Sequence, residues 1–294
     1  MFWSFVSYWL VFILIVCAQS IIQSFVSNYY KQVLAREDRQ NPDHLPINTG
    51  QWVREELDKR GLGKELRVMA TDGSAISDAF WPSARLIHLT EKTYYKKDAA
   101  YWAIGAHELG HALYWKSSAA LGALFGAARA GSLMTTITTS LLLANIIFAE
   151  PLLTKAAWWT LCLGLGSSVV VLIDEFLASR KALQLLGKDP RLNDGERRSA
   201  KRHLVAAWLT YFASFVGSLL LLFLWGYVTK TIQDAPSPAE GTPLEGFALY
   251  SAAFLSLLLL GRGLWVFSRI AKPAPGPRTS LSTLEELEER FGDE

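Results

Sequence analysis

The chain has 294 residues, a formal net charge of +2, 51% hydrophobic residues and 11 tryptophans. Several apolar stretches reach the roughly 20 residues that cross a bilayer as a helix, which argues against a water-soluble globule and for an integral membrane protein. No basic stripe with interleaved aromatics is present, so no nucleic-acid partner is expected, and the two cysteines, Cys17 and Cys162, lie in apolar stretches at no metal or redox spacing.

Taken in chain order, the first apolar stretch covers about residues 5–25 with no basic residue before it. The positive start and small-residue cleavage site of a signal peptide are missing, so a retained anchor over residues 1–28 is expected. A polar, mixed region follows to about residue 118. Within it, residues 49–60 read as a short amphipathic helix stopped by Gly61, and residues 66–70 and 84–90 read as two strands separated by turn-forming residues. One of these strands is a candidate edge that lays out a peptide by backbone pairing.

Asp98 reads as the N-cap of a helix that carries His107-Glu108-Leu109-Gly110-His111 in its third and fourth turns. Residues four apart share a helix face, so both imidazoles can meet one zinc ion while Glu108 reaches a water beside it. Catalytic zinc sites usually have three protein ligands, which leaves this pair one short. Asp174 and Glu175, at the end of a later apolar stretch, are the candidates for the third, because a carboxylate near hydrocarbon needs a partner and a metal is a strong one. Spacing alone does not choose between them.

Four further apolar stretches follow the motif, at about residues 131–148, 157–173, 206–228 and 247–267, for about five spans in all. Eight basic residues from Arg180 to Arg202 fill one connection, whereas the connections on the other side carry only Lys155 and Lys230. The positive-inside rule then puts the N-terminus outside and the motif in the cytosol. Two of the other three histidines, His88 and His203, have no partner at useful spacing and read as structural. Tyr211 is a candidate oxyanion donor, and Arg180 a candidate orienting group for Glu175 or a clamp for a substrate carboxylate. Residues 271–294 read as a proline-rich linker and an acidic amphipathic tail.

Beyond HELGH, the segments Ile76-Ser-Asp-Ala-Phe-Trp-Pro-Ser-Ala-Arg-Leu-Ile-His-Leu-Thr90, Glu175-Phe-Leu-Ala-Ser-Arg-Lys-Ala-Leu183 and Ala206-Ala-Trp-Leu-Thr-Tyr211 occur in this order. In these the sequence resembles the YugP-like neutral zinc metallopeptidases of bacterial membranes, over about residues 29–223. The resemblance implies that His107, His111 and Glu175 bind Zn2+, and that Glu108 is the catalytic acid and base. It also implies a bacterial inner (plasma) membrane. Ala178 fits the Glu-x-x-Ala arrangement of the wider gluzincin group, which includes the HtpX-like proteases, but Ser179 stands where those relatives carry Asp. Leu177 replaces an expected acidic residue, and the fifth span with its tail looks like an addition.

The expected fold is therefore an α-helical multi-span membrane protein with a small α+β zincin-like catalytic region bearing HExxH on a helix. Its parts are an anchor (1–28), a cytosolic metallopeptidase region (29–118), spans two to four with the third ligand and basic loop (119–229), a fifth span (230–270) and a cytosolic tail (271–294). The expected function is a membrane-embedded zinc metalloendopeptidase acting on membrane or membrane-near proteins, with the bilayer and a protein or peptide substrate as partners. A catalytically silent scaffold keeping the same fold is the competing class, and the complete His, Glu, His, Glu set favours the enzyme.

Overall fold

The structure is a computed structural model that describes residues 2–40, 44–71, 78–131, 133–148 and 151–234. The expected fifth span and the tail lie outside the described residues. Within them the chain is mostly helical, with one small sheet.

The N-terminal helix α1 (Phe2–Gln40) leads into the polar region. There α2 (Thr49–Asp58) opens with a capping box in which Asn48 and Gln51 each satisfy the other's backbone N–H. Just past its end Gly61 takes a positive φ of 69°, a conformation that costs glycine little. Strands β1 (Arg67–Thr71), β2 (Ala79–Trp81) and β3 (Leu86–Thr90) form a sheet in the order β1-β3-β2, parallel between β1 and β3 and antiparallel between β2 and β3. β2 is an addition to the expected pair of strands: three residues beside turn-forming ones carry too little alternation to stand out in sequence. β3 lies in the centre, so β1 and β2 are the edges.

A one-turn helix α3 (Glu91–Tyr95) precedes α4 (Ala99–Ser117), and the Asp98 side chain accepts the backbone N–H groups of Ala100 and Tyr101 as its N-cap. α4 breaks at Ser118 before α5 (Ala119–Gly131), so the helix bearing the motif and the apolar helix after it are separate elements. Then come α6 (Leu133–Phe148), α7 (Pro151–Gly187) and α8 (Asp194–Asp234).

Four helical segments are long and apolar enough to cross a membrane: Leu10–Arg36, Ala120–Asn145, Leu152–Gly187 and Asp194–Tyr227. Phe25, Trp159 and Phe223 are among the large apolar side chains they leave exposed, an arrangement that costs free energy in water and none in lipid. Inside the bundle, Phe12, Leu143, Leu161 and Leu224 pack into one core.

A second core joins the polar region to the helix ends. It contains Trp52, Ile87, Trp102 and Leu109 from the polar region with Ala182, Leu186 and Leu204 from α7 and α8. Trp52 and Trp102 stack with centroids 5.4 Å apart, and the Trp52 indole donates to Asp189 just past α7 at 2.7 Å. Arg191 bridges Asp189 and Glu55, each at 2.8 Å. His44 and Glu196 add another tie at 2.5 Å. The polar region is thereby seated on the end of the α7–α8 hairpin, the end that carries the basic loop.

Candidate metal centre

His107 and His111 project from one face of α4, with ring centroids 4.7 Å apart and planes nearly perpendicular. α7 runs directly against that face, and the two helices approach so closely at Gly110 that a Cβ there would stand 2.6 Å from the Ala178 carbonyl oxygen. This contact puts Glu175, one helical turn before Ala178, level with the two histidines. His107 Nε2 lies 2.9 Å from Glu175 Oε2, His111 Nε2 3.6 Å from Glu175 Oε1, and the two Nε2 atoms are 3.1 Å apart.

These three side chains are the group among the described residues whose ligand atoms all fall within 4.8 Å of one another. A tetrahedral zinc ion with bonds of about 2.0–2.1 Å holds neighbouring ligand atoms roughly 3.3 Å apart, so the triangle has the size the ion requires. Its chemistry, two imidazoles and a carboxylate, is also that of catalytic zinc sites. The residues present fit the metal.

The other nitrogen of each ring is held as well. His111 Nδ1 lies 3.1 Å from Asp174 Oδ1, and His107 Nδ1 lies 3.2 Å from Ser179 Oγ. In the tautomer with a proton on each Nδ1, the one a metal at the triangle would select, both Nε2 lone pairs face it. Of the two carboxylates, Asp174 meets His111 Nδ1, and Glu175 is the one whose oxygens lie with the two Nε2 atoms in the triangle. Ser179, four residues after Glu175 and so on its face of α7, supports His107 from the position where the wider group carries Asp.

Electrostatics favours positive charge here. Burial alone would discourage an imidazolium at His111, but hydrogen bonds to Asp174 and Glu175 and the charge of Glu108 outweigh it and push His111 up to about 10. Glu108 is itself buried, at 8% exposure. Among the described residues no hydrogen bond is formed to its carboxylate.

The remaining sequence candidates divide. Tyr211 on α8 faces the site, where the charges of Glu175, Glu108 and Arg129 act on its phenol. Arg180 is exposed and forms no ion pair with Glu175 among the described residues. The guanidinium that reaches Glu175 comes instead from Arg129 on α5, whose Nη2 lies 3.4 Å from Glu175 Oε1 and 3.1 Å from Asp174 Oδ2. A lone arginine in an apolar stretch is the sequence signal that points to such a buried partner. His203 is buried against Tyr30, its Nε2 3.3 Å from the phenol oxygen, and His88 pairs with Thr71. Neither belongs to the ligand group.

No curated protein and no solved structure matches the chain. The family described as putative neutral zinc metallopeptidase matches over residues 5–230, an interval that contains the whole HELGH, Asp174, Glu175 and Ser179 assembly. The chain belongs to this putative neutral zinc metallopeptidase family.

Proposed function

We propose that the protein is a membrane-embedded zinc metalloendopeptidase that hydrolyses peptide bonds in membrane or membrane-near proteins. The observation that carries this reading is the triangle of His107, His111 and Glu175 ligand atoms with Glu108 one residue along the same helix. Zinc held by these residues would polarise the scissile carbonyl and bring the pKa of water down to about 7. Glu108 takes a proton from the attacking water, whose oxygen adds to the carbonyl carbon, and passes that proton to the leaving nitrogen as the C–N bond breaks. The products are a carboxylate and an amine. Tyr211 is the proposed phenolic donor to the carbonyl oxygen as charge gathers there. Ser179 and Asp174 keep the imidazoles in the tautomer that offers Nε2.

The chain would insert with residues 29–118 and the α7–α8 connection on the cytosolic side of a bacterial inner membrane. Glu175 lies 24 residues into α7, roughly 36 Å along its axis, against a hydrocarbon thickness of about 30 Å. A carboxylate there emerges at the interface, where a soluble region can reach it. Of the two sheet edges, β2 packs against α4 and is the one we assign to substrate pairing.

Zinc content of the purified protein, measured beside cleavage of an unstructured casein-like substrate, tests the enzyme reading. Chelation should stop cleavage and zinc should restore it; zinc binding without any turnover would favour the scaffold. Sidedness is tested by a cysteine at Asn193, which should resist impermeant reagents in intact cells. Labelling there would reverse the topology.

A further inference from the structure

Arg129 stands closer to the ligand group than its place in the sequence suggests. One guanidinium nitrogen, Nη2, lies 3.1 Å from Asp174 Oδ2, 3.4 Å from Glu175 Oε1 and 3.4 Å from His111 Nε2. Asp174 therefore bridges two groups, accepting from His111 with Oδ1 and from Arg129 with Oδ2. The arginine is held at the rim of the ligand triangle by these groups, with 41% of its side chain exposed.

The charges around it give this position a meaning. Three carboxylates, Glu108, Asp174 and Glu175, converge on the site, and the Glu108 charge acts on both His111 and Arg129. Zinc and one guanidinium together offset those three negative charges. A peptide carbonyl enters such a site neutral and gains negative charge on its oxygen as water adds. A cation already held beside it stabilises that charged state far more than the neutral one, and only such a difference accelerates the reaction. Arginine suits the position because its several N–H donors lie in one plane, so it can bond Asp174 and still present an edge to the substrate.

We propose that Arg129 is a catalytic residue that donates to the carbonyl oxygen of the bond being cut, beside Tyr211. The proposal rests on the peptidase reading above. Its substrate class is any peptide backbone, since the group contacted is the scissile carbonyl and not a side chain.

The test compares wild type with Arg129→Ala and Arg129→Lys in the full-length protein, using a casein-derived peptide that the wild type cleaves and a phosphinic analogue of that peptide at the cut bond. Arg129→Ala should keep full zinc and a KM within about threefold, lose roughly 10²–10³ in kcat, and bind the tetrahedral phosphinic analogue more weakly by a similar factor. Binding of the uncleaved peptide, measured in the Glu108→Gln background, should change little. Arg129→Lys keeps the charge without the planar fork, should recover part of kcat, and carries the same comparison if the alanine form fails to accumulate.

Unchanged kcat, a loss confined to KM, or zinc loss with normal turnover per bound zinc would each overturn the assignment, the last making Arg129 a charge-balancing group. These outcomes presuppose zinc-dependent cleavage by the wild type. If wild type carries zinc and cleaves nothing, the peptidase reading itself falls and takes this role with it.

Discussion

His111 and Asp174 meet across α4 and α7, with Nδ1 of the histidine 3.1 Å from Oδ1 of the aspartate and both side chains buried. The pairing fixes the ring and turns Nε2 toward Glu175. Removing such a supporting carboxylate typically costs 10- to 100-fold in metal affinity. Asp174→Asn should therefore weaken zinc binding by about that factor, whereas Glu175→Ala, which removes a ligand, should abolish stoichiometric zinc. Competition titration against a chromogenic chelator measures both. Equal loss in the two variants would mean that Asp174 and Glu175 share the ligand role.

Glu108 differs from its neighbours in lying outside the ligand triangle, so its removal should separate chemistry from metal binding. Glu108→Gln keeps size and hydrogen-bonding capacity but loses basicity. Turnover should fall by roughly 10²–10⁴, the usual contribution of a general base, with zinc content unchanged. Metal analysis and cleavage rates on one preparation decide it, and a fully active Gln variant would rule out the mechanism.

The pattern of legibility follows from range. The N-cap at Asp98 and the shared face of His107 and His111 depend on neighbours within a turn, and both were readable from spacing. The pairing of Glu175 with α4 depends on two helices 68 residues apart along the chain, and spacing alone left Asp174 and Glu175 as equals. Resemblance favoured Glu175, and in the structure Asp174 is the carboxylate that lies against His111 Nδ1. Arg129 stands out in sequence as a lone cation in an apolar stretch, but its partners His111, Asp174 and Glu175 lie on other helices and no spacing names them. Strand β2 was missed for the opposite reason: it is too short to have a period.

The close approach of Gly110 to the Ala178 backbone explains why the fourth residue of HELGH is glycine. A methyl group on Gly110 would stand 2.6 Å from the Ala178 carbonyl oxygen and 3.1 Å from its Cα, both rigid backbone. The helices would have to separate, carrying Glu175 away from the histidines. Gly110→Ala should lower stability by about 1–3 kcal/mol, the usual cost of overpacking, despite alanine's better helix propensity. Zinc affinity should fall with it, although no ligand has been touched. Thermal unfolding in detergent with and without zinc would show both effects; a stabilised variant would mean that α4 and α7 do not pack this closely.

Asp189 links the same interhelical geometry to pH. Its carboxylate is largely buried, which would raise its pKa, but hydrogen bonds from Arg191 and Trp52 prevail and hold it at about 2. The unfolded chain, with an aspartate near 3.9, binds the proton more readily. The sign follows: stability from this group is fully present above about pH 4 and is lost as pH falls toward 2. Asp189→Asn should remove that part of the acid sensitivity and, by taking away one of the two carboxylates that Arg191 bridges, cost about 1–3 kcal/mol at neutral pH. Melting temperatures of both forms between pH 7 and 3 would converge toward the acid end. Because the Trp52 indole that Asp189 holds belongs to α2 and stacks on Trp102 of α4, the loss should also loosen α4 against α7. Zinc affinity of the Asp189→Asn form at pH 7 should then fall modestly. An unchanged affinity would show that the Gly110 contact alone sets the distance between the histidines and Glu175.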